Sequence, residues 1–282
     1  MGWVTYTDPV AFAEKIEPLL YKKEDEYSLF LGILGQIGAG RYEEYFLALA
    51  ENDGELVAAS LMTPPHPLQL IVFQKEPGIE REIAEHLWNS ETEVTAVIGD
   101  RETAFQFAEE WTAKTDEQTK ILMDQGLYRA DFVARGLEKS PGSWRVANKK
   151  DAELLAAWLL LFEQDTGIAK STPAEAALKI DQFIKDKEVY IWEVDGETVA
   201  CMKKARPSKH GITVSFVFTP KHHRRKGYAR TLVADVTEEL LLEYDFAMLY
   251  TDLQNPTSNK IYREIGYEQI ANPVHLAFET KQ

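Results

Sequence analysis

Two stretches of the chain, 142 residues apart, carry the same turn inside the same apolar pattern. "DGELVAASLMTPP" at 53–65 and "DGETVACMKKARP" at 195–207 align without a gap. Each Asp-Gly follows a run with strand character, "YFLALAEN" in one case and "EVYIWEV" in the other, where a tight turn joins two strands. Further strand-like runs, "LQLIV" and "GITVS", come at nearly the same offset. A repeated order of elements at this period predicts a duplicated domain. The length of 282 residues suits two domains, and Ser140, Pro141 and Gly142 mark a joint. The expected units are residues 1–140 and 143–282.

Helical periodicity dominates residues 8–38, where Asp8 and Pro9 form an N-cap and first-turn pair. "GIEREIAEHLW" and "DRETAFQFAEEW" read as helices around a strand "VTAVI", and the second half has helical stretches at about 149–164 and 173–186. The N-terminal run lacks the basic-then-apolar order of a signal peptide, and Tyr6 breaks a myristoylation pattern. No apolar run approaches the roughly 18 residues that span a bilayer. One cysteine, Cys201, excludes an intramolecular disulfide; its apolar run predicts a buried core thiol and a reducing, cytoplasmic setting. A formal net charge of −15 argues against general nucleic-acid binding.

Against that acidic background, residues 221–230 hold five Lys/Arg and two His. The β-branched and aromatic run "GITVSFVF" (211–218) precedes them as a strand ended by Thr219–Pro220. From Gly227 onward, Ala229, Leu232, Val233, Val236 and Leu240 fall on one helical face. Strand, basic loop, glycine and helix together make an anion site, because a helix N-terminus presents unpaired N–H groups and a partial positive charge. Gly227 lets the backbone approach the anion. Charged hydrogen bonds of this kind contribute about 1.5–3 kcal/mol each, enough for main chain to hold a diphosphate.

This spacing resembles the signature of the GNAT superfamily of N-acetyltransferases, Gln/Arg-x-x-Gly-x-Gly/Ala, with Arg224, Gly227 and Ala229 at its three positions. "NPTSNKIYREIGY" (255–267) is similar to the family's closing Asn-x-x-Ala/Ser…Tyr-x-x-x-Gly-Phe/Tyr. The resemblance implies an α/β (α+β) fold of tandem GNAT-like domains, each a mixed central sheet flanked by helices. It is specific over the second half and extends to 1–140 only as a degenerate, non-catalytic domain. It implies acetyl-CoA as acyl donor, with Phe216, Val217 and Phe218 lining the pantetheine groove. Backbone N–H groups of Arg225, Lys226, Gly227, Tyr228, Ala229 and Arg230 would meet the phosphates, with Arg224 a further cofactor-binding residue. Asn255 would touch the pantetheine arm, Ser258 would be a further cofactor-binding residue, and Tyr262 would stand near the sulfur as the general acid. The implied acceptor is a small-molecule or peptide amine.

No general base stands out: "GITVSFVF" lacks a carboxylate, and Glu163, Asp252 or a water are the open choices. His222 and His223 read as exposed polar filler, and no metal site is expected because adjacent histidines do not readily share one ion and no other cluster has ligand spacing. At the hairpin offset, the first half opposes "EIAEHL" to Arg224–Ala229, which predicts one coenzyme A per chain. Opposite Tyr262 the first half places Glu110 in one register and, in the favoured one, Leu122 of "TKILMDQG". A CoA-binding regulatory module without catalysis is the alternative from another class.

Overall fold

The computed structural model describes residues 2–167 and 170–281. In the first part of the chain the elements are β1 (Gly2–Thr5), α1 (Pro9–Leu20), α2 (Ser28–Gly38), β2 (Phe46–Asn52), β3 (Glu55–Met62), β4 (Leu68–Val72), α3 (Ile79–Asn89), β5 (Ala96–Gly99), α4 (Arg101–Thr112) and β6 (Glu117–Ala130). Then come β7 (Ser143–Val146), α5 (Ala152–Thr166), α6 (Pro173–Lys185), β8 (Val189–Val194), β9 (Glu197–Ala205), β10 (Gly211–Phe218), α7 (Tyr228–Leu240), β11 (Phe246–Asp252), α8 (Pro256–Ile265), β12 (Glu268–Ala271) and β13 (Val274–Thr280). Asp8 caps α1 as its sequence predicts, its carboxylate accepting from the Val10 amide at 2.9 Å.

Two compact units result, the first comprising Met1–Leu127, Thr251–Pro256 and Gln269–Gln282, the second Tyr128–Tyr250 and Thr257–Glu268. In the first, the strand order is β1-β2-β3-β4-β5-β13-β6, with β4 and β5 parallel and β13 antiparallel to both neighbours. One core holds Phe12, Ile16, Leu20, Phe30 and Leu34 from α1 and α2. The other holds Ile83, Leu87, Phe107 and Trp111 from α3 and α4. The second unit has β7-β8-β9-β10-β11, with β10 and β11 parallel. Its cores hold Leu155, Trp158 and Ile180 from α5 and α6, and Leu232, Val236 and Tyr262 from α7 and α8. Each unit is a mixed sheet flanked by helices.

The repeat is conformational as well as sequential. Asp53 and Gly54 turn with φ of 51° and 83°, and Asp195 and Gly196 with 51° and 82°. Both hairpins also slip register at the same place, between Ala50 and Glu51 in one and between Trp192 and Glu193 in the other. A bulge in one strand adds twist and unpairs a residue, so an identical bulge and turn make a shared backbone plan.

Two features differ from the sequence expectation. The compact units do not divide at residues 140 and 143, because the C-terminal strand β13 pairs with β5 and β6 of the first unit. The stretch "TKILMDQG", which the favoured register sets opposite the helical "NKIYREIG", lies within β6. Its Lys, Leu and Met favour helix intrinsically, but Ile121 pairs with Leu276 and Lys120 with Ala277, and tertiary pairing overrides local preference.

Candidate active site

The site grows from an interruption in β10. Pairing with β11 runs from Gly211–Phe246 to Val214–Leu249 and stops there. On the other edge, Ser215 pairs with Lys203 but Phe218 pairs with Cys201, so β10 carries one extra residue. Phe216 turns at φ 47°, a left-handed conformation that a bulky residue adopts only under constraint. The bulge therefore leaves backbone groups of β10 outside the ladder at the end of a parallel strand pair, the region where open α/β sheets take ligands.

The side chains there do not all go where the resemblance implies. Phe216 and Phe218 are buried in the α5–α6 core, with ring contacts to Phe162 at 5.3 Å and Trp158 at 5.7 Å. Val217 packs partly buried against the opposite core. What this stretch offers a ligand is backbone more than phenyl surface. Cys201 is fully buried behind it, as expected, and burial pushes its thiol above the ordinary range.

Beyond Pro220 a 3₁₀ turn, Lys221–His223, leads to Arg224 and then to Gly227, the N-cap of α7. Gly227 has φ 78°, and it offers no side chain to cap the helix. The first turn carries no acidic residue, so its amides have no partner within the helix and no carboxylate opposes an anion. A Cβ on residue 227 would lie 2.6 Å from Ser140 Oγ. The glycine is thus required by its φ and by Ser140, in addition to any approaching anion.

The basic side chains divide into two groups. Arg224 donates to the Thr219 carbonyl at 2.8 Å and to Asp165 on α5 at 2.6 Å. Arg230 donates to the Glu138 carbonyl at 2.9 Å and pairs with Glu264 at 3.3 Å. Among the described residues Arg225 and Lys226 make no ion pair, Lys226 standing 5.9 Å from the Tyr228 ring. Two cations without an ion pair among the described residues thus directly precede Gly227, and Lys221, at the start of the 3₁₀ turn, is a third. His222 is exposed as expected, but His223 is only 7% exposed, its Nε2 lying 3.1 Å from Glu197 Oε1. That corrects the reading of His223 as surface filler; Glu197, the first residue of β9, meets it.

Tyr262 and Ser258 lie on α8, Tyr262 buried and Ser258 half-buried. The Tyr262 ring meets Tyr267 edge-on at 6.1 Å and shares a core with Tyr228, the first residue of α7. Burial pushes its phenol up to about 12, and the hydroxyl makes no hydrogen bond among the described residues. Asn255 immediately precedes α8 and donates its amide to the Asp252 carbonyl at 3.0 Å, within the segment grouped with the first unit. The two carboxylates considered as bases are both engaged. Glu163 accepts from the Ser171 amide at 2.7 Å and hydroxyl at 2.8 Å, and Asp252 accepts from the Gln254 amide at 2.8 Å. Ser140, Asp165 and Glu197 had no signal in the sequence as site neighbours, because each reaches the loop through tertiary packing.

The FR47-like protein family matches residues 194–276. Among solved structures, a GNAT-family acetyltransferase from Colwellia psychrerythraea aligns over 100% of both chains, with TM-score 0.62 and 12% identity. A GCN5-related N-acetyltransferase from Sphaerobacter thermophilus aligns over 98% of this chain and 95% of its own, with TM-score 0.64 and 15% identity. A tandem GNAT protein from the clavulanic acid biosynthesis pathway, without AcCoA, aligns over 100% and 99%, with TM-score 0.58 and 10% identity. The chain has a tandem GNAT fold. No curated protein sequence matches it.

Within that GNAT fold the first unit has its own strand-to-helix loop, and it is not "EIAEHL", which lies inside α3. The counterpart of Gly227 is Gly78, the left-handed N-cap of α3 at φ 81°. It stands 149 residues earlier, not 142, because both β10 and the loop after it are longer than β4 and its loop. The first unit thus keeps the glycine but not the charge: Glu80 and Glu82 occupy the first turn, and Lys75 is paired with Glu102. The favoured register for Tyr262 is corrected in the same way. Asp100 caps α4 as Asn255 precedes α8, and the seventh residues of the two helices are Phe107 and Tyr262. Both Glu110 and Leu122 give way to a buried phenyl ring without a hydroxyl.

Proposed function

We propose that the second unit is an acetyl-CoA-dependent N-acyltransferase that acts on a primary amine. The observation that carries this reading is the start of α7: an uncapped helix N-terminus entered through Gly227, with Arg225 and Lys226 beside it making no ion pair among the described residues. That arrangement suits the diphosphate of coenzyme A, held by main-chain amides and screened by the two cations. The broken end of β10 offers backbone N–H groups to the thioester carbonyl.

In the reaction the amine lone pair forms a C–N bond to the carbonyl carbon, and the C–S bond of the tetrahedral adduct breaks. The departing thiolate takes the Tyr262 proton, and the amine loses its own proton to water, which restores the phenol. Burial raises the phenol, which keeps it protonated in the physiological range and makes it a weaker acid than an exposed tyrosine. Such acid assistance is worth roughly 10²–10⁴-fold. The first unit, with acids at the start of α3 and Phe107 in place of a phenol, takes no part in the chemistry.

The engagement of Glu163 by Ser171 favours a second reading, a CoA-binding module without turnover. Mass-spectrometric detection of an acylated product, using acetyl-CoA with a panel of metabolite and peptide amines, separates the two. An acetylated amine establishes transfer; saturable acetyl-CoA binding with no product across the panel establishes the module.

A further inference from the structure

We propose that Glu197, His222 and His223 form a binding site for a divalent transition-metal ion, with zinc as its natural occupant. One ligand atom from each residue lies within 4.8 Å of the others. They come from two separate segments. Glu197 opens β9 directly after the Asp195–Gly196 turn, and the histidines close the 3₁₀ turn that leads to Arg224.

Adjacent histidines usually point apart. Here the short 3₁₀ turn brings the two rings to 4.1 Å between centroids, 51° between planes. Their convergence, and the arrival of Glu197 from the hairpin, are what the sequence expectation of no metal did not contain.

The three groups divide into one fixed ligand and two adjustable ones. His223 is held in the interior, 7% exposed, with the Tyr228 ring edge-on at 6.4 Å. Among the described residues its Nδ1 is sealed from solvent without a hydrogen-bond partner, and its Nε2 meets Glu197. The Nε2 faces a carboxylate that is itself 66% exposed and easily moved. His222 is likewise exposed and adjustable.

Zinc bonds of about 2.0–2.2 Å in tetrahedral geometry need donors roughly 3.4 Å apart, so rotation of the exposed pair by about an ångström brings the three protein donors into place, and a water would take the fourth position. Two imidazoles and a carboxylate select zinc, nickel or copper over magnesium and calcium, which take oxygen donors. The same selection lets the site tolerate its basic neighbours, because ligand bonding to imidazole does not rely on net negative charge. A bound ion would tie the β8–β9 turn to the loop that enters α7.

The test uses the full chain without a purification tag, titrated calorimetrically with zinc chloride, alongside the visible spectrum of the cobalt(II) form. The expected result is one zinc per chain, a tetrahedral cobalt spectrum, and binding weakened at least about tenfold in both Glu197→Gln and His222→Ala. Both substituted positions are exposed, so folding is retained, and circular dichroism checks it. Absence of zinc binding, or binding unchanged in the Glu197→Gln/His222→Ala double variant, overturns the proposal. Neither measurement involves acetyl-CoA, so its outcome is independent of the acyl-transfer reading.

Discussion

Ser140 Oγ donates to the Lys226 carbonyl at 2.9 Å and stands 2.6 Å from where a Cβ on residue 227 would lie. The same serine receives no help from helix or strand; it comes from the loop before β7 and also donates its amide to Thr231 Oγ1 at 3.0 Å. Residue 227 is therefore constrained twice, by φ and by a neighbour. Gly227→Ala is expected to destabilise the chain by about 1–2 kcal/mol from its left-handed φ alone, and by more from the steric overlap. Ser140→Ala removes the overlapping hydroxyl. In urea denaturation the double variant should cost less than the sum of the two single ones, and strict additivity would show that Ser140 does not constrain the glycine.

Tyr262→Phe isolates the phenolic proton. The hydroxyl has no hydrogen bond among the described residues, so its loss should leave melting temperature nearly unchanged. Steady-state kinetics should show kcat lower by roughly 10²–10⁴-fold with KM for acetyl-CoA little altered. An unchanged kcat would remove Tyr262 from the chemistry.

Acid sensitivity should centre on Asp151. Arg145 donates to both its oxygens, at 2.7 and 2.9 Å, and the Asn148 amide adds a bond at 2.7 Å. The Arg145 guanidinium first, and that amide after it, hold the Asp151 carboxyl below the usual carboxylate range. A folded value below the unfolded one gives stability that is full above about pH 3.9 and is lost as pH falls through the folded value. Asp151→Asn should therefore lower stability at neutral pH by about 1–3 kcal/mol and flatten its decline in acid. Parallel curves for the two proteins from neutral pH to pH 2 would contradict that origin.

Much of this was legible from residues that act locally. The paired Asp-Gly turns gave away the duplication, because two residues with positive φ dictate a turn wherever they occur. The loop before α7 was legible because charge, glycine and helical face lie within one short stretch. What escaped depends on distant partners. A strand such as β6 acquires its identity from β13, more than 150 residues away. Gly78 was missed because alignment at a constant offset cannot follow a strand and a loop that both change length. The burial of His223 depends on Glu197 across a hairpin, and Asp165 reaches Arg224 from another helix.

Cys201 tests the packing behind β10. It is fully buried, and burial pushes its thiol up. A thiol-specific disulfide reagent should react with it only at the rate of unfolding, and in denaturant should titrate one thiol per chain. Rapid modification of the native protein would mean that the β9–β10 bulge opens readily.

The most direct test of the cofactor assignment is calorimetric titration with acetyl-CoA of the native chain and of an Arg225→Glu/Lys226→Glu variant. Both residues lack ion pairs among the described residues, so the charge reversal leaves the fold intact. One acetyl-CoA per chain is expected, with affinity reduced at least about tenfold in the variant and the salt dependence of binding weakened. Two acetyl-CoA per chain, or an affinity that the reversal leaves unchanged, would contradict a diphosphate held at the start of α7.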